Sequence, residues 1–103
     1  MVAKIILTTY SSMEEARNAA RSAVFGRLAV CVNIVKIDSV YAWKGKIEEA
    51  EEFLAIYKTT SAKAAKLGRF IESKHSYEVP EVITLDPGNV SEKYMKWLVE
   101  STK

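Results

Sequence analysis

Apolar and β-branched residues crowd the positions from Val2 to Tyr10, and their density predicts a first strand. Ser12-Met13-Glu14-Glu15 then carries the Ser-x-x-Glu spacing of a capping box, in which serine and glutamate satisfy each other's backbone N–H groups, so a helix is predicted to start there. Met13, Ala16, Ala20 and Val24 recur at helical spacing as its apolar stripe. Most are small, which lets the helix sit close on a sheet, and Gly26 is a natural stop. From Leu28 to Trp43 the period drops to two, with Cys31, Val35, Ile37, Tyr41 and Trp43 on one side and Val30, Val32, Ile34 and Val40 on the other. Asn33, Lys36 and Asp38 interrupt that run, so part of this strand is expected to meet water.

Thr60 and Ser61 lead into a second capped helix whose predicted stripe is Ala64, Leu67, Phe70 and Ile71, ending near His75. Gly68 inside it costs about 1 kcal/mol relative to alanine and is expected to mark a close contact. Val82 to Leu85 is predicted as a short buried strand between Pro80 and the turn residues Asp86-Pro87-Gly88-Asn89. A last helix follows, with Asn89 as its expected cap, Glu92 three residues on, and a stripe of Val90, Tyr94, Trp97 and Leu98.

One segment is ambiguous by pattern alone. Ile47, Ala50, Phe53, Leu54 and Tyr57 are spaced as on a helix, and Glu, Ala, Leu and Lys are good helix formers. Against that, Gly45 and Lys46 offer no side-chain cap, and Ile56, Tyr57, Thr59 and Thr60 prefer strands. As a helix, the segment leaves a three-stranded sheet. As a strand turning back at Lys44-Gly45, it gives the order βαββαβ plus a terminal helix, the split βαβ arrangement of ferredoxin-like domains.

Length and composition then narrow the function. A chain of 103 residues, 49% hydrophobic, is one domain (residues 1–103) with room for a single core. The longest uncharged run falls far short of a membrane span, and the N-terminal run lacks the small-residue cleavage site of a signal peptide. With a single cysteine, which can form no intrachain disulfide, these features lead to the expectation of a cytoplasmic protein without a membrane partner. Fifteen basic and 13 acidic residues are interspersed, net +2, with no basic stripe, so no nucleic-acid partner is expected.

Cys31 is the one thiol and His75 the one imidazole. A free cysteine in a strand is commonly a small buried apolar residue, and a histidine at a helix end sits favourably against the last carbonyls. One of each cannot complete a zinc or copper cage, so any such site must recruit carboxylates or neighbouring subunits. No Ser/His/Asp order, catalytic-cysteine context or Gly-rich phosphate loop occurs, and no enzyme is expected.

Several separated stretches together resemble one family. They are Leu28-Ala29-Val30-Cys31-Val32-Asn33, Ser39-Val40-Tyr41-Ala42-Trp43-Lys44-Gly45-Lys46-Ile47, Glu52, Lys58, His75-Ser76-Tyr77-Glu78-Val79-Pro80-Glu81-Val82-Ile83 and Tyr94-Met95-Lys96-Trp97-Leu98. In order and over nearly the whole chain, they are similar to the CutA divalent-cation tolerance family. The resemblance implies an α+β, ferredoxin-like fold with a long β-hairpin around Gly45, assembled as a homotrimer similar to the PII class. It implies a non-enzymatic binding or signalling role in tolerance of divalent metal cations, copper among them. The alternatives are a structural trimer that anchors a partner protein and a PII-like sensor of a small charged metabolite.

Family members that bind copper resemble a site built from a thiol near the end of the first strand and paired histidines before the Tyr-x-x-Pro motif. Those positions here are Thr8 and Lys74, with His75 matching the second histidine and Cys31 matching a different family cysteine. His75 and Cys31 are therefore the metal candidates by resemblance. Trp43, Glu52, Lys58, Tyr77 and Glu78 match positions the family tends to keep and are the candidates for a cleft between subunits.

Overall fold

The computed structural model describes residues 2–103. Its elements are β1 (Ala3–Tyr10), α1 (Met13–Phe25), β2 (Cys31–Trp43), β3 (Lys46–Thr60), α2 (Ser61–Lys74), β4 (Ile83–Leu85) and α3 (Glu92–Ser101). The strands form one antiparallel sheet in the order β2-β3-β1-β4, so the fold is α+β with three helices. The ambiguous segment is a strand: tertiary pairing overrides its helical propensity, because β3 is laddered on both sides, Tyr57 lying between Ile6 of β1 and Val32 of β2.

Alternation sorts the sheet into two faces. Ile6, Tyr10, Ala55 and Tyr57 are buried under α1 and α2, where Ala16, Ala23, Leu67 and Ile71 meet them. On the other face Ala3 and Cys31 lie beneath α3, anchored by Leu98 with Val90 and Met95. Small residues bring α1 close to the sheet as expected, but the stripe is Ala16, Ala20 and Ala23, while Val24 is exposed. Ser12 caps α1 by accepting from the Glu15 N–H at 3.1 Å. The left-handed residue after the helix is Arg27 (φ 60°) and not Gly26. Leu28 and Ala29 then both close on the Ala23 carbonyl, and Thr59 Oγ1 donates to the Leu28 carbonyl, so β2 begins at Cys31 and not at Leu28.

Four further expectations are corrected. Ser91, not Asn89, precedes α3, and it makes no side-chain cap bond. Only Leu98 of α3 is buried; Tyr94 and Trp97 stay exposed because this short helix covers just one end of its sheet face. β4 is an exposed edge strand and not a buried one, since no helix reaches Ile83 or Leu85. Gly68 faces Val82, and a Cβ there would lie 3.9 Å from Val82 Cγ1, ordinary contact that does not demand glycine.

β1 pairs with β3 only from Phe53 to Thr60, so Ile37–Trp43 and Lys46–Glu52 pair with each other alone. At about 3.3 Å per residue this ribbon runs roughly 20 Å past the three-stranded part, and the molecule measures 44 Å along its longest axis. Trp43 pairs with Lys46 across Lys44 (φ 49°) and Gly45 (φ 79°), the two positive φ values that a tight type I′ hairpin needs.

Candidate functional site

α2 ends where His75 turns extended (φ −77°, ψ 139°), and residues 75–81 then run as a strap past the base of the ribbon. Three attachments fix it. His75 Nε2–H donates to the Thr9 carbonyl at 2.8 Å, since Nδ1 is occupied as acceptor of the Tyr77 N–H at 3.1 Å. The imidazole stacks on Tyr10, ring centroids 4.6 Å apart and nearly parallel, with Tyr77 tilted against it at 4.9 Å. Ser76 donates to Glu15 through both its N–H (3.0 Å) and its hydroxyl (2.9 Å). Tyr77 completes the set by donating its phenol to Glu52 Oε2 at 2.7 Å.

Between strap and ribbon lies a groove of about 980 Å³. Its floor is sheet surface that α3 does not reach, Leu7, Thr9, Leu54 and Ile37; Tyr41 and Trp43 form one wall and the strap the other. Glu52 sits at its base, only 8% exposed, with Glu78 and Glu81 on the strap side. Burial raises the pKa of the Tyr77 phenol, and its bond to the Glu52 carboxylate raises it further, so the pair is held as phenol donor and carboxylate acceptor.

Of the seven residues singled out from sequence, the groove gathers Trp43, Glu52, Tyr77 and Glu78. Lys58 does not line it: it pairs with Ile5 and Cys31, at the α3 end of the same sheet face. Cys31 is half-buried there, 3.9 Å from Asn33 Oδ1. His75 lies on the α1–α2 side, against Tyr10. The two metal candidates thus sit on opposite faces of the sheet, and both nitrogens of His75 are already engaged within the chain.

The Thr8 hydroxyl is buried without a hydrogen-bond partner, so at this level of β1 the chain offers an alcohol where a copper site wants a thiolate. Among the described residues no three His, Cys, Asp or Glu side chains converge as a cation site. Within one chain, His75 and Cys31 do not fit a copper ion. Sequence reasoning missed Glu15 and Ser76, which hold the strap. The capping-box spacing did flag Glu15, but its carboxylate turns to Ser76 instead of back to Ser12.

The family model described as CutA1 divalent ion tolerance protein matches residues 4–101. The divalent-cation tolerance protein CutA of Thermus thermophilus is 39% identical over 100 residues, 96% of this chain and 97% of that protein. The crystal structure of CutA1 from Pyrococcus horikoshii superimposes with a TM-score of 0.93 at 37% identity, covering 97% of this chain and 98% of that one. The protein from Archaeoglobus fulgidus, described as a periplasmic divalent cation tolerance protein CutA, gives 0.96 at 34% identity, covering 99% and 100%. No helix among the described residues is long and apolar enough to cross a membrane. With the match running nearly end to end in both sequence and fold, the chain belongs to the CutA1 divalent ion tolerance family.

Proposed function

We propose that this chain is a non-enzymatic binding and signalling protein of divalent-cation tolerance, acting in the cytoplasm as a homotrimer of ferredoxin-like, PII-like subunits. The groove between ribbon and strap is its ligand cleft, completed by a neighbouring subunit. The observation that carries this reading is the uncovered apolar face of the groove, which leaves Tyr41 42% and Trp43 38% exposed on a two-stranded ribbon. An isolated ribbon of two strands is marginal in water, and an apolar one with free edges invites pairing. The order β2-β3-β1-β4 leaves β2 and β4 as free edges, and a head-to-tail contact between unlike edges gives a closed ring when the rotation between subunits is one third of a turn.

Cation binding on this reading belongs to the assembled protein, because one chain supplies carboxylates at Glu52 and Glu78 without a complete donor set. Carboxylate oxygens suit hard divalent ions, while copper favours nitrogen and sulfur donors. Calorimetric titration of magnesium, zinc and copper tests the assignment. Heat from at least one ion, lost in Glu52→Gln and Glu78→Gln, is expected. Heat that those variants leave intact but His75→Ala or Cys31→Ser removes would move the site out of the groove. The aromatic wall of Tyr41 and Trp43 beside carboxylates also favours a small organic cation as ligand, the metabolite-sensor reading.

A further inference from the structure

Among the described residues Glu52 is the one buried carboxylate, 8% exposed at the base of the groove, and the chain gives it no cation. Its Oε2 accepts from Tyr77, whereas Oε1 accepts no hydrogen bond, and the ion pairs of the described residues are Lys4–Asp86 and Lys36–Glu51. A carboxylate taken out of water without a positive partner is costly, and one phenol answers only part of that cost. The other charged residues lining the groove are Glu78 and Glu81, so its walls do not supply the missing charge.

Strand register extends the acidic row along the ribbon. Glu48 shares the Glu52 face of β3, four residues nearer the tip, and lies opposite Tyr41. It is half-buried, whereas Glu49 and Glu51 on the reverse face are exposed. Between the two glutamates comes a rung of small side chains, Ala50 opposite Ser39. At about 3.3 Å per residue, the backbone positions of Glu48 and Glu52 are roughly 13 Å apart. Beyond Glu48 the row ends in Lys46, opposite Trp43. The Trp43 ring already takes a primary ammonium, since Lys44 Nζ lies 5.5 Å from its centroid.

The arrangement calls for positive charge at two points separated by an open, weakly polar stretch. A metal ion is a single point and makes no use of Ile37, Leu54 or the aromatic wall. A compact organic ammonium reaches one carboxylate only. Resting on the reading of the groove as the ligand cleft, we infer that its ligand is a linear aliphatic polyamine. One terminal ammonium meets Glu52 Oε1, the methylene chain crosses the Ala50–Ser39 rung, and the other terminal ammonium lies between Glu48 and the Tyr41 ring. The span selects a triamine. A short diamine does not bridge the two glutamates, and a longer tetramine brings its last ammonium against Lys46.

Fluorescence titration tests this in a Trp97→Phe background, where Trp43 is the remaining indole. At ~0.15 M salt, which screens exposed charges, the triamine spermidine should bind about tenfold more tightly than 1,4-diaminobutane. The tetramine spermine, with one charge more, should gain nothing over spermidine. Glu52→Gln, whose amide oxygen can still accept from Tyr77, should weaken triamine and diamine alike by about tenfold. Glu48→Gln should weaken the triamine alone, and Glu49→Gln, the same charge change on the reverse face, should weaken neither. Affinity that simply rises with ligand charge and falls equally in Glu49→Gln overturns the inference, as does an absence of triamine binding. The metal titrations separate the two readings: metal heat lost in Glu52→Gln without any triamine binding rejects the polyamine and keeps the cleft, while a groove that takes neither rejects both.

Discussion

Tyr10 and Tyr57 face each other through hydroxyls 2.7 Å apart in the core, one donating to the other. Burial raises the pKa of both phenols, and the same cause leads at Tyr77, whose bond to Glu52 adds to it. A group whose folded pKa exceeds its unfolded value contributes stability that is complete below the unfolded value and lost above it. The unfolded value is 10.0, so these three tyrosines should hold their protons past the pH at which free tyrosine ionises, and the fold should weaken only as pH climbs further. Alkaline titration followed by phenolate absorbance and circular dichroism checks this; full ionisation near pH 10.0 with the fold intact would contradict it. Thr8 supplies the opposite case, a buried hydroxyl with no partner. An unsatisfied buried polar atom costs about 1–3 kcal/mol, so Thr8→Val, which keeps the shape, should raise the denaturation midpoint by the equivalent of about 1 kcal/mol. None of these pairings was legible in the sequence, because Tyr10 and Tyr57, or Tyr77 and Glu52, meet only through strand register and a strap that no local pattern encodes.

At the scale of elements, local chemistry was legible where the chain obeys it. The Ser12 cap formed as its spacing predicts, and removing it with Ser12→Ala should cost α1 about 1 kcal/mol. The α2 glycine carries no such constraint: Gly68 has helical backbone and ordinary space around its missing Cβ, so Gly68→Ala should gain about 1 kcal/mol. Urea denaturation of the two variants should therefore move the midpoint in opposite directions. Where neighbours decide, the pattern fell short. Lys46–Thr60 reads equally as helix or strand until Tyr57 is seen laddered on both sides. The α3 cap shifted from Asn89 to Ser91, and Tyr94 and Trp97 stayed exposed because the stripe of a short helix does not say how much sheet lies beneath it. Of the residues proposed for a site, those flanking the hairpin and the Tyr-x-x-Pro stretch came together, whereas Lys58 and Cys31, with the same strand alternation, belong to the α3 end of the sheet.

The whole molecule is a small core with a ribbon that outruns it, and the two parts have different requirements. The core satisfies itself under α1 and α2. The ribbon and the groove beside it expose Trp43, Tyr41, Val40 and Ile47, and two sheet edges stay unpaired. On the proposed trimeric reading, this apolar surface beside free strand edges is where the chains meet. Placing a charge on the uncovered floor, Leu7→Glu, should then dissociate the assembly while leaving the α1–α2 core folded. The most direct measurement is the mass of the unmodified protein by light scattering on a sizing column. A mass three times that of the 11.6 kDa chain is the predicted result, and a stable, soluble monomer would contradict the account.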